Sequence, residues 1–427
     1  MRTMTGQPDS GGAEDAQRGG AAARPAATSG RPRVPRQPGR PDVLTFGETM
    51  VALRGSGPLK LGGTMHVSIA GAESNVAIGL ARLGHDVRWA GAVGEDEAGQ
   101  LVLRTLRAEG VEVSGASADP VAPTGLLLFE PRLPEVTRVH YYRAGSAGSR
   151  LTAGVVERAF SAAPPRVLHL TGITPALSPT AHSAARHALQ LAKDYGSLVC
   201  LDVNFRARLW TAEQAAGVLR EWIPSVDVLI ASDDELPLCL PEGAGGAGAP
   251  GAAGAAGAAG AAGGAGSPGR PQGVEGSQGA DGAQEAEGPQ GVEKAQEAER
   301  AQGAEKPPQG ATHDTAATIA SRAKLLLDLG VGEVVVKLGA DGATAYTHGG
   351  SLHQPAKAVR AVDAVGAGDA FVAGYLSALL DDEEPAGRLE RAVTTGAFAV
   401  ASRGDWEGAP TRSELGMLGA PPGTVVR

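Results

Sequence analysis

A glycine-rich turn at residues 363–369, with the sequence DAVGAGD, has the residue types and spacing for chemistry on an anion. The apolar positions at 371–380 recur as on one face of a helix, so the turn precedes a helix N-terminus. Backbone N–H groups there lack partners and carry partial positive charge. Gly366 and Gly368 leave that backbone accessible, and Asp369 is placed to accept a proton. The pattern predicts a phosphoryl-transfer site.

The same turn also has a purely structural interpretation. Glycine-rich turns often precede helices, and an aspartate in a first turn can serve only as a cap or as a partner of the helix dipole. The segment matches neither a GxxxxGK[ST] motif nor a GxGxxG motif after the first strand, which argues against a P-loop and against a Rossmann dinucleotide site.

Around this turn, strand-like and helix-like segments alternate along the chain. Helical patterns at 179–195 and 211–222 separate short apolar runs. Such alternation predicts a mostly parallel sheet with helices on both faces, hence an α/β fold. Two extended arms, residues 64–69 and 124–142, are predicted to form a small strand lid. The apolar runs are VLTFGE, VRWAGAVG, RVLHLTG, SLVCLDVN, VDVLIA and EVVVKLG.

Low-complexity segments interrupt and flank the folded region. Residues 1–41 are rich in Arg, Pro and Gly and are predicted to be a disordered tail, and residues 419–427 form a short C-terminal tail. Residues 242–311 carry little to bury, and we expect a disordered insertion within one domain at 42–418. A linker between two domains is less favoured, because the α/β pattern resumes directly afterwards.

Composition excludes several classes of protein. The 427-residue chain has a net charge of -9, which argues against general nucleic-acid binding. It contains no apolar run of about 18 residues, the length that a membrane span requires. Its two cysteines, Cys200 and Cys239, form no CxxC motif, so a structural disulfide or a cysteine-bound zinc is not expected. We expect a soluble, cytoplasmic protein.

Two motifs resemble signatures of one enzyme family. DAVGAGDAFVAGYL resembles the C-terminal signature of the ribokinase-like (PfkB) carbohydrate kinases, except that Ala364 replaces the usual Thr or Pro, and AGAESNVAIGLARLG at 70–84 resembles their N-terminal signature. The resemblance implies a three-layer αβα sandwich with a mostly parallel central sheet and a small β lid. It also implies that Asp369 deprotonates a sugar hydroxyl, with the N–H groups of Gly366, Ala367 and Gly368 as the anion hole.

Two arginines suggest an acidic substrate. Arg143 follows two tyrosines on an extended arm, and Arg206 follows a buried strand, where open α/β sheets bind ligands. The planar guanidinium suits a carboxylate, although each arginine could instead form a surface ion pair. Within the family, HLTGITPALS, YYRAGSAGSRL, LDVNFRARLW and RGDWEGAPTRSEL resemble the 2-keto-3-deoxygluconate kinases. This implies ATP-dependent phosphorylation of the terminal hydroxyl of 2-dehydro-3-deoxy-D-gluconate. The implied substrate ligands are Gly71, Asn75, Tyr141, Arg143 and Arg206.

The resemblance also implies a nucleotide site and a metal position. IASDDEL at 230–236 resembles the family's Asn-x-x-Glu element, with Ser232 in place of Asn. Glu235 would then act in the Mg²⁺ shell through water, because magnesium keeps several of its waters. Helix capping by Ser232 or Asp233 is the structural alternative. By the same resemblance, VVVKLGADGA at 334–343 would line the nucleotide site. Without the resemblance, this segment predicts a hairpin turn. The implied nucleotide ligands are Ser232, Lys337, Gly339, Gly342 and Gly368.

Two other functions stay open at this point. A kinase of a neutral sugar, fructose or ribose, would make Arg143 and Arg206 dispensable. A sugar-binding sensor without catalysis would fit Ala364 but would not explain the retained Asp369. We also expect a possible homodimer through the exposed lid.

Overall fold

The computed structural model describes residues 39–133, 136–243, 315–420 and 424. The predicted tails (1–41 and 419–427) and the predicted insertion (242–311) therefore lie almost entirely outside the described residues. None of the helices in the described ranges is long and apolar enough to span a membrane.

Fourteen strands are found in the described ranges. In chain order they are β1 (Val43–Phe46), β2 (Met50–Gly55), β3 (Met65–Ala70), β4 (Val87–Ala90), β5 (Ala92–Gly94), β6 (Ser117–Asp119), β7 (Leu126–Leu133), β8 (Val136–Tyr142), β9 (Val167–Thr171), β10 (Leu198–Asp202), β11 (Val228–Ser232), β12 (Glu333–Lys337), β13 (Ala343–Thr347) and β14 (Gly350–Gln354).

Ten α-helices lie between and after them in the same ranges. They are α1 (Ala72–Arg82), α2 (Glu97–Ala108), α3 (Ala153–Ala162), α4 (Ile173–Leu177), α5 (Pro179–Tyr195), α6 (Ala212–Trp222), α7 (Leu236–Cys239), α8 (Ala316–Asp328), α9 (Ala367–Leu380) and α10 (Pro385–Val400).

The main sheet has eight strands in the order β14-β13-β12-β11-β10-β9-β1-β4. The six strands from β12 to β4 are parallel, and β13 and β14 extend the sheet as an antiparallel hairpin. Along β11, Leu229 belongs to one core cluster, whereas Val228 and Ile230 belong to the other. Successive side chains of a strand point to opposite faces, so helices cover both faces of this sheet. The predicted three-layer αβα fold is confirmed.

A second, smaller sheet has the strand order β3-β2-β7-β8. Three of these strands are the predicted extended arms, and the fourth, β2, was not anticipated. One face of this lid sheet carries a small apolar cluster that includes Met50, Leu127 and Phe129. Val365, from the glycine-rich turn, packs against the same cluster. The lid therefore contacts the segment that the sequence singled out for chemistry.

Candidate active site

The glycine-rich turn forms the N-terminus of α9. Gly366 is the residue before the helix and has a φ of +74°, in the left-handed region. A Cβ atom at that position would lie 1.8 Å from the carbonyl oxygen of Asp405, so only glycine fits. Ala367 N–H donates a 3.3 Å bond to the carbonyl of Ala364. Among the described residues no acceptor pairs with the N–H groups of Gly366 or Gly368, which leaves two donors for an anion.

Asp369 lies in the first turn of this helix, and only 8% of its surface is exposed. Asn75 Nδ2 donates a hydrogen bond to Asp369 Oδ2 at 2.8 Å. Burial raises the pKa of the Asp369 carboxyl to about 7; the hydrogen bond from Asn75 lowers this pKa, and the negative charge of Asp202 raises it by less than Asn75 lowers it. A carboxyl group that titrates near neutral pH can take up a proton and release it again, as a general base must.

Helix α1 brings Asn75 to this position because it packs closely on α9. A Cβ atom added to Gly79 of α1 would lie 2.7 Å from Cβ of Ala373, so the two helices meet through small residues. Gly71 immediately precedes α1, and a Cβ there would lie 2.5 Å from the carbonyl oxygen of Glu48. The two glycine-rich signatures at opposite ends of the chain thus form one structural unit.

Lys337 is the last residue of strand β12 and lies near the start of α9. Its Nζ donates to Asp202 Oδ1 at 2.8 Å, across the intervening strand β11. A Cβ atom on Gly368 would lie 3.9 Å from this Nζ, so the ammonium group faces the start of α9. Burial disfavours the charge on Lys337, but the negative charges of Asp202 and Glu235 outweigh that effect and raise its pKa. The lysine therefore stays positively charged beside the two free N–H groups.

Glu235 is engaged by backbone groups at the ends of β10 and β11. Its Oε1 accepts the N–H of Phe205 at 2.7 Å, and its Oε2 accepts the N–H of Ser232 at 2.8 Å. Burial raises the pKa of this carboxyl. The residue before helix α7 is Glu235 itself, and its side chain does not cap that helix. In the described ranges no group of three or more His, Cys, Asp or Glu could hold a metal ion.

Arg143 lies where the lid meets the end of β1, and it is paired. Its Nε and Nη2 donate to the buried carboxylate oxygen Oε2 of Glu48 at 2.7 and 2.5 Å. Ser146 Oγ donates to the other oxygen of Glu48. Nη1 of Arg143 has no protein partner in the described ranges. The guanidinium also lies 5.8 Å from the ring centroid of Tyr141, within cation–π range. Tyr141 and Arg143 are thus brought together, as predicted.

The remaining predicted residues occupy different settings. Arg206 is exposed after β10, and its positive charge lowers the pKa of Asp369, so the two side chains share one electrostatic environment. Gly339 and Gly342 flank a short 3₁₀ turn between the antiparallel strands β12 and β13, as the hairpin alternative predicted. A Cβ on Gly342 would lie 2.1 Å from the carbonyl of Gln354, so this glycine has a structural task of its own.

The sequence analysis missed two buried carboxylates, Glu48 and Asp202. Glu48 follows β1, Asp202 is the last residue of β10, and each pairs with a predicted ligand, Arg143 or Lys337. The carboxyl ends of parallel strands meet at one edge of a sheet, where open α/β folds bind ligands. Glu48 and Asp202 could therefore have been identified from the sequence as acidic residues at or just after the end of a buried apolar run.

An α/β fold with a strand lid, a helix N-terminus with two free N–H groups, a charged lysine and a buried carboxyl group has the parts that a phosphotransferase needs. Comparison with known proteins gives its family. The profile described as "pfkB family carbohydrate kinase" matches residues 40–284 and 294–412, and the chain belongs to this family of carbohydrate kinases. The predicted transfer of phosphate to an alcohol group is thereby confirmed.

Individual relatives cover nearly the same span. The chain is 30% identical to a 2-dehydro-3-deoxygluconokinase of Bacillus subtilis (strain 168), over 88% of this chain and 94% of that one. It is also 30% identical to a 2-dehydro-3-deoxygluconokinase of Thermoproteus tenax, over 88% and 93% of the two chains. The solved structure of a fructokinase with bound ATP from Xylella fastidiosa shares the fold, with a TM-score of 0.62, 20% identity and coverage of 88% and 98%.

Proposed function

We propose that this kinase phosphorylates the terminal hydroxyl of 2-dehydro-3-deoxy-D-gluconate with ATP. The observation that supports this substrate most directly is the 30% identity, over 88% of the chain, to two enzymes named for that reaction. Arg143 at the lid and Arg206 beside Asp369 supply the cations that an acidic sugar requires. A neutral sugar carries no carboxylate for either guanidinium to bind.

In the proposed reaction, Asp369 accepts the proton of the terminal hydroxyl. The freed oxygen attacks the γ-phosphorus, and the bond to the oxygen of ADP breaks. The N–H groups of Gly366 and Gly368, with Lys337 opposite them, stabilise the negative charge on the phosphoryl group in flight. Lid closure excludes water that would otherwise hydrolyse ATP.

We propose that the nucleotide lies along the ends of β11 and β12, near Ser232, Lys337, Gly339 and Gly342. An ATP-bound relative of the same fold supports nucleotide binding by this family. Mg²⁺ would accompany the phosphates and contact Glu235 through water. Each oxygen of Glu235 accepts one backbone bond, and a carboxylate oxygen accepts more than one, so capacity for a metal-bound water remains.

We also propose that residues 42–418 form one kinase domain and that two copies associate through the outer face of the lid. Large apolar side chains are exposed on the lid strands, with Val67 at 52% and Tyr142 at 61%, and Leu61 in the turn between β2 and β3 is 76% exposed. Isolated exposed apolar residues are ordinary, but a group of them on one small sheet is typical of an interface. Light scattering of the wild type and of Val67→Glu tests this, and a monomeric wild type would contradict it.

The substrate proposal is tested by measuring ADP release with Mg-ATP against a panel of sugars. The panel contains 2-dehydro-3-deoxygluconate, 2-dehydro-3-deoxygalactonate, fructose and ribose, and the Asp369→Asn protein serves as the control for contaminating kinases. We expect kcat/KM for a keto-deoxy acid to exceed that for either neutral sugar by at least about 10²-fold, as expected for a paired charge. Preference for fructose or ribose would refute the substrate, and binding without turnover would favour a sensor.

A further inference from the structure

Arg54 is a lid residue that reaches into the catalytic turn. It lies near the end of β2, and its guanidinium is 3.9 Å from the ring centroid of Phe129 on the neighbouring strand β7. The side chain is only 19% exposed. Stacking on an aromatic ring fixes the plane of the guanidinium, so its donors point in set directions.

Those donors hold the turn at two points. Nη1 lies 3.3 Å from Oδ2 of Asp363, the first residue of the turn, whose Oδ1 accepts the N–H of Val365 at 3.1 Å. Nη2 lies 2.5 Å from Oδ2 of Asp405. The backbone carbonyl of Asp405 occupies the space beneath Gly366 that a side chain would fill. One guanidinium therefore binds the entry of the turn and the segment that supports it.

Without Arg54, the negative charges around the glycine turn would repel a bound phosphate. Asp363 and Asp405 put two carboxylates next to N–H groups that must attract phosphate, and Glu407 adds a third negative charge close to Asp405. A buried carboxylate that loses its partner is strongly destabilising. Neutralisation by a cation from the lid removes this conflict only while the lid is in place.

We propose that Arg54 is a positioning residue that fixes the glycine turn and cancels the negative charge beneath it, so that lid closure and completion of the anion hole are one event. The proposal rests on the anion-hole role assigned above to Gly366 and Gly368. It differs from a simple ion pair between two parts of the fold, which would contribute to stability without acting on turnover.

Three variants separate these possibilities. Arg54→Met keeps an unbranched apolar side chain over Phe129 but removes the charge. We expect kcat to fall about 10²-fold, the effect of a small misplacement of catalytic groups, while KM for the sugar changes less than about threefold. Arg54→Lys retains a cation without the fork and should give an intermediate kcat. Arg138→Met, at an exposed arginine on lid strand β8, is the matched control and should behave as the wild type.

The double variant Arg54→Met with Asp405→Asn tests the charge argument. Removing the uncompensated carboxylate should restore kcat at least about fivefold relative to Arg54→Met alone, because the two residues are coupled. A double variant no more active than the single one would overturn the charge argument, and a wild-type kcat in Arg54→Met would overturn the whole proposal. If Arg54→Met does not fold, the proposal is tested with Arg54→Lys instead. A kcat equal to that of the wild type would overturn the proposal, and a kcat about tenfold lower would support it.

A measurement without turnover separates this proposal from the proposed function. Hydrogen–deuterium exchange of residues 363–370 reports how firmly the turn is held. We expect exchange in Arg54→Met to be at least about tenfold faster than in the wild type and in Arg138→Met. Faster exchange together with a wild type that phosphorylates none of the sugars would refute the function and support the positioning role. Unchanged exchange with full wild-type turnover would refute the positioning role and leave the function intact.

Discussion

The floor and the lid of this site are built in different ways. The floor consists of Asn75, Asp202, Lys337 and Asp369, which project from the ends of helices and strands that are buried in the main core. The lid is a four-stranded sheet with a small apolar cluster. It is joined to the rest of the protein by apolar packing of Val51 and Ile69 in the main core, and by polar contacts from β2 and β3 and from the loop after β8. Those contacts are Arg143 to Glu48, Arg54 to Asp363 and Asp405, and Ser68 to Glu407.

This difference indicates a division of labour. Groups fixed by a packed core keep their positions to a fraction of an ångström, which bond making requires. A small sheet with few buried apolar residues of its own and with a largely exposed strand, β8, can open and close, which substrate entry requires. Changes in the floor should therefore act mainly on kcat, and changes in the lid contacts to substrate should act mainly on KM.

The largest effect is expected from Asp369→Asn in the floor. The variant keeps an acceptor for Asn75 but cannot take a proton, so kcat should fall about 10³-fold with little change in either KM. Steady-state kinetics measure this, with Asp194→Asn, at an exposed aspartate of helix α5, as the control. A fall of less than tenfold would remove Asp369 from the role of base.

A smaller effect, on a different constant, is expected from Glu48→Gln at the lid. Loss of the carboxylate releases Arg143 from its fixed orientation, so KM for the keto acid should rise about tenfold while kcat stays within about twofold. KM for a neutral sugar should not change. Glu130→Gln, which alters a lid carboxylate bound to His140, is the control. A lower kcat with an unchanged KM would break the division between floor and lid.

The pH dependence of the floor should show an effect of a few fold at neutral pH. Because the pKa of Asp369 is raised to about 7 by burial, the carboxyl is protonated and inactive below that pH, and kcat/KM should rise as pH increases through 7. Asn75 donates to the charged form and lowers this pKa. In Asn75→Ala the midpoint should therefore move to higher pH by about half a unit. A midpoint that moves to lower pH would contradict this electrostatic account.

The smallest effect concerns stability rather than rate. The folded-state pKa of Asp369 is above its ordinary value, so the contribution of this carboxyl to stability is full below about pH 4 and is lost as pH rises through 7. Asn does not titrate, so Asp369→Asn should exceed the wild type in unfolding free energy by about 2 kcal/mol at pH 8 and by less at pH 5. Urea unfolding at both pH values measures the difference. A variant less stable at pH 8 would show that the floor carries no electrostatic strain.

Much of the floor could be predicted from the sequence, because its signals are local. The apolar spacing after residue 370 located the start of α9, and the glycines located the turn. Alternation of strands and helices predicted the parallel sheet, since each buried element must repeat its apolar pattern over its own length. Asn75 and Asp369 were both identified, and the structure places them in contact.

The lid contacts could not be predicted in the same way. The pairing of Arg54 with Asp405 joins positions 351 residues apart, and neither segment shows a periodic pattern that depends on the other. Strand β2 begins only four positions after the end of β1, so the sequence gives no clear boundary between the two strands. Arg143 was identified, but its commitment to Glu48 depends on where the chain folds back rather than on residue type.

The hydrogen bond between Asn75 and Asp369 spans 294 residues of the chain. At about 5–20 residues per second, a ribosome adds Asp369 roughly 15–60 s after Asn75. During that interval α1 has no α9 to cover the face that carries Gly79, and that face is open to chaperones or to other nascent chains. A product of interrupted translation that lacks α9 therefore contains the N-terminal signature but no kinase. Kinase activity can therefore begin only after helix α9 has been synthesised.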